Sequence, residues 1–228
     1  MAYKFFHPDK KSRKISFSQC GEDLIIEFIF NAIKIANPTY LDIGAHDPFF
    51  INNTYLFYKK GSNGINVEPN PILLDKFLKY RPNDTNICAG VCNEDGEQDY
   101  YMMSSPSMNT FSEEEANKLE SETSIKILRK IKIKTISLST ILNNYCRGIF
   151  PDFLSLDVEG LELDILKAID FCKCFPKVIC IETLTYSENK SEKKEEDIIN
   201  YIKENGFLLY ADTYINSIFV KKEIWQNR

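Results

Sequence analysis

Glycine is scarce in this chain, and its nine copies nowhere form a G-x-G-x-x-G run. That absence argues against a dinucleotide fingerprint, whose glycines admit a pyrophosphate to a helix N-terminus. No Cys-x-x-Cys pair occurs among the seven cysteines, and the number is odd. Several lie in apolar runs such as Ile87-Cys88-Ala89 and Ile179-Cys180-Ile181, so they read as packed, reduced thiols in a reducing compartment. Long hydrophobic runs are also missing. The greasiest stretch, residues 24–35, is broken by Glu27, Asn31 and Lys34, and nothing is long enough to span a membrane. The basic N-terminal residues Lys4, Lys10, Lys11, Arg13 and Lys14 precede no long apolar segment, so no signal peptide is expected. The expected location is the cytoplasm. Positive charge is in deficit, with 28 Lys and Arg against 33 Asp and Glu and a net charge of −5. That balance argues against a nucleic-acid partner, which demands a basic footprint.

What is present suits a single globular domain over residues 1–228, with 43% apolar and 27% charged residues. Apolar positions at helical spacing predict a helix over residues 22–35 after an N-terminal segment. Thereafter short apolar runs alternate with helical stretches. Strands are expected at 40–43, 65–68, 86–91, 153–157 and 178–181, with helices at 53–60, 72–80, 161–169 and 195–204. Residues 207–211 and 217–220 read as a terminal antiparallel hairpin. This rhythm predicts an α/β fold with a mostly parallel sheet and helices on both faces. Residues 98–136 interrupt it with two alternating strands, a Ser/Pro loop and a capping box at Ser112 and Glu115. They form an insertion that is a candidate substrate lid, with Met102, Met103, Met108 and Phe111 available to close over an acceptor.

Open α/β sheets bind ligands at the carboxyl ends of their strands. Those ends carry Asp42 through His46, Glu68, residues 86–90, Asp157 through Gly160, and Glu182. Carboxylates at the ends of buried strands are costly unless something pairs with them, so their repetition points to a cationic or hydroxyl-rich ligand. In Asp42-Ile43-Gly44-Ala45-His46-Asp47, acids flank the glycine; a pyrophosphate would be repelled and a sulfonium or ammonium attracted. Glu68 closes the second strand 24 residues after Gly44, where a carboxylate accepts from both hydroxyls of a ribose. The pair describes S-adenosylmethionine better than NAD.

Four segments carry a resemblance to a known family: Ser18-Gln19-Cys20-Gly21-Glu22-Asp23, Tyr40-Leu41-Asp42-Ile43-Gly44-Ala45-His46-Asp47-Pro48, Asn66-Val67-Glu68-Pro69-Asn70-Pro71 and Leu156-Asp157-Val158-Glu159-Gly160-Leu161-Glu162. Together with residues 52–57 they resemble the FkbM family of S-adenosylmethionine-dependent methyltransferases. The likeness runs over residues 16 to 220. It implies a seven-stranded class I methyltransferase (Rossmann-like) fold and methyl transfer to oxygen, commonly on sugars of surface polysaccharides or secondary metabolites. It further implies Asp42, Gly44 and Ala45 around the methionine portion with Gln19 closing over it, Glu68 and Asn70 at the ribose, and Asn86, Cys88 and Ala89 at the adenine. The position of His46 is often Asn in the family, so the resemblance gives His46 no role.

Transfer to a hydroxyl requires a group to take its proton. Of two histidines, His7 lies in the basic N-terminal segment, whereas His46 sits two residues past Gly44 where a base reaches a substrate. Asp157, Glu159 and Glu182 come from neighbouring strand ends. Asp157 and Glu159 are candidate catalytic acids, and Asp157 with Glu182 could hold Mg²⁺ or Mn²⁺, which lowers the pKa of bound sugar hydroxyls. Glu159 as a helix cap and Asp157 as a metal-free base are the alternative. The expected partner is a small-molecule or glycan acceptor, a sugar or nucleotide-sugar. An NAD-dependent oxidoreductase and a non-catalytic nucleotide-binding module are the rival classes.

Overall fold

Because successive side chains of a strand leave opposite faces of a sheet, a strand apolar at every position must be covered on both sides. Three strands, residues 40–43, 153–156 and 216–221, are buried at every position, and the rest of the chain is arranged to cover them. The computed structural model describes residues 13–158, 160–184 and 193–228. Its first half runs α1 (Glu22–Ala32), β1 (Tyr40–Ile43), α2 (Tyr55–Lys59), β2 (Gly64–Val67), α3 (Pro71–Tyr80), β3 (Thr85–Ile87) and β4 (Gly90–Cys92). Then come β5 (Gly96–Met103), a 3-10 turn (Pro106–Met108), α4 (Glu113–Glu122), β6 (Ile127–Ser137) and α5 (Leu138–Tyr145). The last part holds β7 (Phe153–Leu156), α6 (Glu162–Lys167), β8 (Val178–Glu182), α7 (Glu196–Glu204), β9 (Phe207–Asp212), β10 (Asn216–Lys221) and α8 (Lys222–Gln226). None of the described helices is long and apolar enough to cross a membrane.

The main sheet has seven strands in the order β3-β2-β1-β7-β8-β10-β9, with β10 antiparallel to both its neighbours. The other pairs are parallel, with β1 hydrogen-bonded between β2 and β7. Leu41, Ile43, Leu154, Leu156, Ile179 and Ile181 face one core, which α5, α6 and α7 complete through Ile141, Ile165, Leu166, Ile198 and Ile202. Tyr40, Phe153, Val178 and Cys180, at the alternate positions, face a second core closed by Ile26, Ile29 and Phe30 of α1 and Phe57 of α2. Helices thus lie on both faces, and the strand order with its antiparallel terminal hairpin is the class I methyltransferase architecture.

Three local departures from the sequence reading have physical causes. The run 86–91 is not one strand. It leaves the main sheet after Ile87 and enters a second, three-stranded sheet at Gly90, in the order β4-β6-β5. Helix α1 stops at Ala32, short of residue 35, because Lys34 takes a left-handed backbone with φ 61°. Helix α5 was not anticipated; it follows β6 with no intervening loop, started by Ser137, whose hydroxyl accepts from the Thr140 N–H at 3.2 Å.

Under the second face, Arg81 is fully buried just past the end of α3. Its Nε donates to Asp84 at 2.7 Å, its Nη1 to the Asn52 amide oxygen at 3.1 Å, and its Nη2 to the Tyr40 hydroxyl at 2.8 Å and Thr54 at 3.0 Å. The guanidinium carbon lies 5.3, 5.1 and 5.4 Å from the ring centres of Tyr40, Tyr58 and Phe77. Asp84 also accepts from the Tyr40 hydroxyl, the Gly64 N–H and the Asn66 amide. A buried ion pair is tolerable only when its remaining donors and acceptors are met, and here a ring of partners from β1, β2 and the loop before α2 meets them. Replacing Arg81 with Met should lower unfolding stability by about 3–5 kcal/mol, since Asp84 is left charged and buried; urea denaturation monitored by circular dichroism measures it.

Candidate active site

Along the carboxyl edge of the main sheet lies a cavity of about 1040 Å³, at the large end of the range for ligand sites. Gln19, Asp42, Gly44, Ala45, His46 and Glu68 line it, and so do Ala89, Asp157 and Glu182. Of the other residues expected in the site, Asn70, Asn86 and Cys88 are not part of this lining, and Glu159 falls outside the described residues.

Gly44 sits where β1 meets β7. A Cβ on it would stand 1.7 Å from the Asp157 carbonyl oxygen, and its φ is +77°. Space and handedness both require glycine here. The tight crossing is locked by the Asp157 N–H, which donates to the Ile43 carbonyl at 3.1 Å, and by the Gly44 and Ala45 N–H groups, which donate to Val67. Two residues on, His46 also has a left-handed backbone, φ 53°, a conformation that Asn, Asp and His tolerate better than other side-chain-bearing residues. Its N–H donates to Glu68 Oε2 at 2.9 Å, while Glu68 Oε1 accepts from Asn70 N–H at 2.8 Å. Glu68 is thereby fixed from two sides. Burial pushes its carboxyl up to about 7, against those two hydrogen bonds and with help from the charges of Asp42 and Asp157. Burial also lowers the His46 pKa, so its imidazole is neutral at pH 7.

Asp42 faces the second core and hangs from the Arg81 cluster. Its Oδ2 accepts from Thr54 at 2.8 Å and from Asn52 at 3.3 Å, and both partners are themselves held by Arg81. Burial raises its carboxyl above the ordinary range, opposed first by the Arg81 charge and then by Thr54, Ser155 and Asn52. Gln19 is positioned by the buried acids that follow it. Asp23 accepts from the Phe17 N–H at 2.7 Å and from Ser16 and Ser18. Glu22 ties Cys20 to Thr213 and Asn216 at the hairpin. The acidic pair in Ser18-Gln19-Cys20-Gly21-Glu22-Asp23 is therefore a brace for the loop that carries Gln19.

Across β1, at the ends of β7 and β8, Asp157 and Glu182 meet a third acid, Glu162, with ligand oxygens all within 4.8 Å of one another. Asp157 opens onto the cavity but is enclosed by protein behind it. Desolvation raises its pKa to about 6, countered by a hydrogen bond with Glu182 and reinforced by the charges of Glu162 and Asp42. Glu162 also accepts from the Val158 and Gly160 N–H groups at 3.0 and 2.9 Å, bracing the loop between them. The sequence reading named Asp157 and Glu182 but not Glu162; the sixth residue of Asp157-Val158-Glu159-Gly160-Leu161-Glu162 carried no separate signal.

The three residues outside the lining have other partners. Asn70 starts α3, its side chain accepting from the Ile72 N–H at 3.0 Å, and it touches the site only through its N–H on Glu68. Asn86 accepts from Asn66 at 2.8 Å and donates to the Arg81 and Asp84 carbonyls. Cys88 points its thiol toward the Pro69 carbonyl at 3.8 Å. In their place the cavity takes Tyr100 and residues 106–112 from the insertion. At its capping box, Ser112 accepts from the Glu115 N–H as expected, but the Glu115 carboxylate accepts from Thr110 instead of reaching back to residue 112.

The seven-stranded sheet thus carries an acid-lined cavity at its carboxyl edge. The methyltransferase FkbM domain matches residues 42–209, and the chain belongs to that family. Among solved structures it is similar to the methyltransferase FkbM from Methylobacillus flagellatus KT, at 16% identity and a TM-score of 0.43 over 81% of this chain. This chain spans 44% of the length of that one. It is also similar to a TehB-like SAM-dependent methyltransferase from Corynebacterium glutamicum ATCC 13032 Kitasato, at 10% identity and a TM-score of 0.42 over 94% of each chain. No curated protein matches the chain.

Gly44→Ala should abolish donor binding and cost stability as well. The added methyl has no room beside Asp157, and overpacking of this kind costs ~1–3 kcal/mol before the left-handed backbone is counted. Thermal melting together with calorimetric titration of S-adenosylhomocysteine checks both effects.

Proposed function

We propose that this chain is an S-adenosylmethionine-dependent O-methyltransferase acting on a hydroxyl of a sugar or nucleotide-sugar acceptor in glycan biosynthesis. The observation that supports it best is the division of acids around one cavity. Glu68 stands at the end of β2, held by two backbone N–H groups, and Asp157 and Glu182 stand at the ends of β7 and β8. A carboxylate fixed from behind presents its remaining lone pairs to a vicinal diol, which suits Glu68 to the donor's ribose. Asp42 and the Gln19 loop are then left for the methionine end. The donor, when bound, supplies a methyl group on a sulfonium, electrophilic and positively charged.

The chain's own residues would perform three tasks. Glu68, Asp42 and Gln19 orient the donor so that its methyl faces the acid cluster, and orientation alone is worth several orders of magnitude in rate. Asp157, at about 6, is ionised at neutral pH yet basic enough to take the acceptor hydroxyl's proton as the oxygen forms its bond to the methyl carbon. His46, held neutral by burial, is the second base lining the same cavity. A divalent cation also fits. Asp157, Glu182 and Glu162 are the hard oxygen donors that Mg²⁺ or Mn²⁺ prefers, and the hydrogen bond between Asp157 and Glu182 places a proton where a cation would otherwise relieve their repulsion. Such an ion would supply Lewis acidity toward the acceptor hydroxyl. The acidic, hydroxyl-matched lining, with no Lys or Arg among its described residues, is what favours the sugar part of such an acceptor.

Two experiments test this reading. Because the ribose needs an ionised Glu68, affinity for S-adenosylhomocysteine should weaken roughly tenfold as pH falls from about 8 to about 6 through a step near 7. Glu68→Gln should bind weakly and without that step; a pH-independent wild type would remove Glu68 from the ribose site. If a metal serves the acceptor, Mn²⁺ should raise the melting temperature of the wild type but of neither Asp157→Asn nor Glu182→Gln, and exhaustive chelation should abolish methyl transfer. Full transfer after chelation assigns the proton to Asp157 or His46 alone.

A further inference from the structure

Large apolar side chains scattered singly over a surface are ordinary, whereas a contiguous exposed patch marks a contact. One such patch adjoins the cavity. In the loop after β1, Phe50 is 67% exposed and Ile51 44%; on α3, Ile72 is 60% exposed and Tyr80 47%. Hydrogen bonds and ring contacts join the two segments. The Asp47 carboxylate accepts from the Phe49 and Phe50 N–H groups at 3.1 Å and from the Lys76 ammonium at 3.0 Å. The Phe49 ring meets that of Tyr80 with centres 5.2 Å apart. The loop is thus laid along the face of α3 that carries Ile72, Lys76, Lys79 and Tyr80, positions three and four apart on the helix. Ile51 also lines the cavity, so the patch reaches its mouth.

The loop is strained in a way that keeps this patch outside. Ile51 has a φ of 51°, an outlier for a β-branched residue. Anchors on both sides impose it. The Asp47 turn precedes it, and next in the chain Asn52 donates its N–H to the Phe17 carbonyl at 2.9 Å and accepts from Arg81 through its amide oxygen. Such strain persists only where the surroundings over-determine it, and it clusters at functional sites. The charge around the patch is mainly positive, although the chain carries −5 and α4 alone has five glutamates against one lysine. Lys79 lies 4.9 Å from the centre of the Tyr80 ring. Lys59 lies 5.2 Å from that of Phe17, and Phe17 and Phe49 both pack on Tyr55. The acids Asp47 and Glu27 are covered by Lys76 and by Lys14 with Lys60, which leaves Asp75 as the exposed acid of α3.

We propose that this face is a peripheral docking surface for an anionic lipid bilayer, with Phe50, Ile51, Ile72 and Tyr80 entering the headgroup layer. The lysines around them meet the lipid phosphates. Apolar side chains and basic charge on one surface are the two contributions that hold a protein in a membrane interface, and lysine stems reach past apolar neighbours to bring their charge there. A second copy meeting this face across a two-fold axis would set lysine against lysine. On the methyltransferase reading, docking brings the cavity mouth to acceptors carried at a lipid surface. Vesicle binding does not depend on that reading, so the two fail separately.

The test is co-sedimentation of the full chain with vesicles of phosphatidylcholine alone, or of phosphatidylcholine and phosphatidylglycerol in about a three-to-one ratio. The wild type should partition onto the anionic vesicles at least tenfold better than onto the neutral ones. Raising the salt from about 0.05 M to about 0.5 M should remove most of that difference. Phe50→Ser and Lys79→Glu, each checked for folding by circular dichroism, should both weaken anionic binding roughly tenfold; Ile72→Ser takes the place of Phe50→Ser if that variant does not fold. A wild type that prefers neither kind of vesicle, or a folded variant within twofold of it, overturns the proposal. So does a dimer in vesicle-free sedimentation velocity that Phe50→Ser dissociates while vesicle binding is absent, which gives the face to a second copy.

Discussion

A single buried guanidinium organises the edge of the sheet on which the site is built. Arg81 carries its charge into a space with no solvent, between three aromatic rings. Only the exact pairing of its donors makes that tolerable. Through Asp84 and Tyr40 it clamps β1 to β2, and through Asn52 and Thr54 it holds the two groups that grip Asp42. The position of Asp42 in the cavity is thus determined by a residue that never touches the cavity.

The acids at the strand ends have divergent environments, and this is what turns an electrostatic liability into a site. Asp42 is offset by Arg81 and three hydrogen bonds. Glu68 has only backbone donors and rises to about 7, and Asp157 has another carboxyl beside it and rises to about 6. Carboxylates pushed up by burial and by one another bind cations and share protons more readily than relaxed ones. A cationic ligand bound among them would draw on that stored repulsion.

Much of this was legible in the residues, and the exceptions have a common cause. Largely apolar runs such as 153–156 and 178–181 announced buried strands, and Asp42, Glu68, Asp157 and Glu182 announced themselves as acids at or just past such runs. Their lining of one cavity follows from the parallel order alone. What the residues hid were contacts made by side chains far apart in sequence. Arg81 reads as an ordinary basic residue after a helix, Glu162 as a charge in a first helical turn, and Asn86 as a strand-end polar group; each acquires its role only when β1, β2 and β7 are adjacent. The run 86–91 looked like one strand because its apolar content is continuous, and only the close approach of Phe111 to Gly90 shows why it changes sheets.

The central claim is that one ligand lies across the carboxyl edge of the sheet, nucleoside over β2 and reacting end over β7. A crystal structure with S-adenosylhomocysteine tests it most directly. The account predicts both ribose hydroxyls within hydrogen-bond distance of Glu68, the adenine on the β3 side of that carboxylate, and the sulfur directed toward Asp157. A nucleoside bound with its ribose away from Glu68, or running toward Glu182 instead of β3, would contradict it.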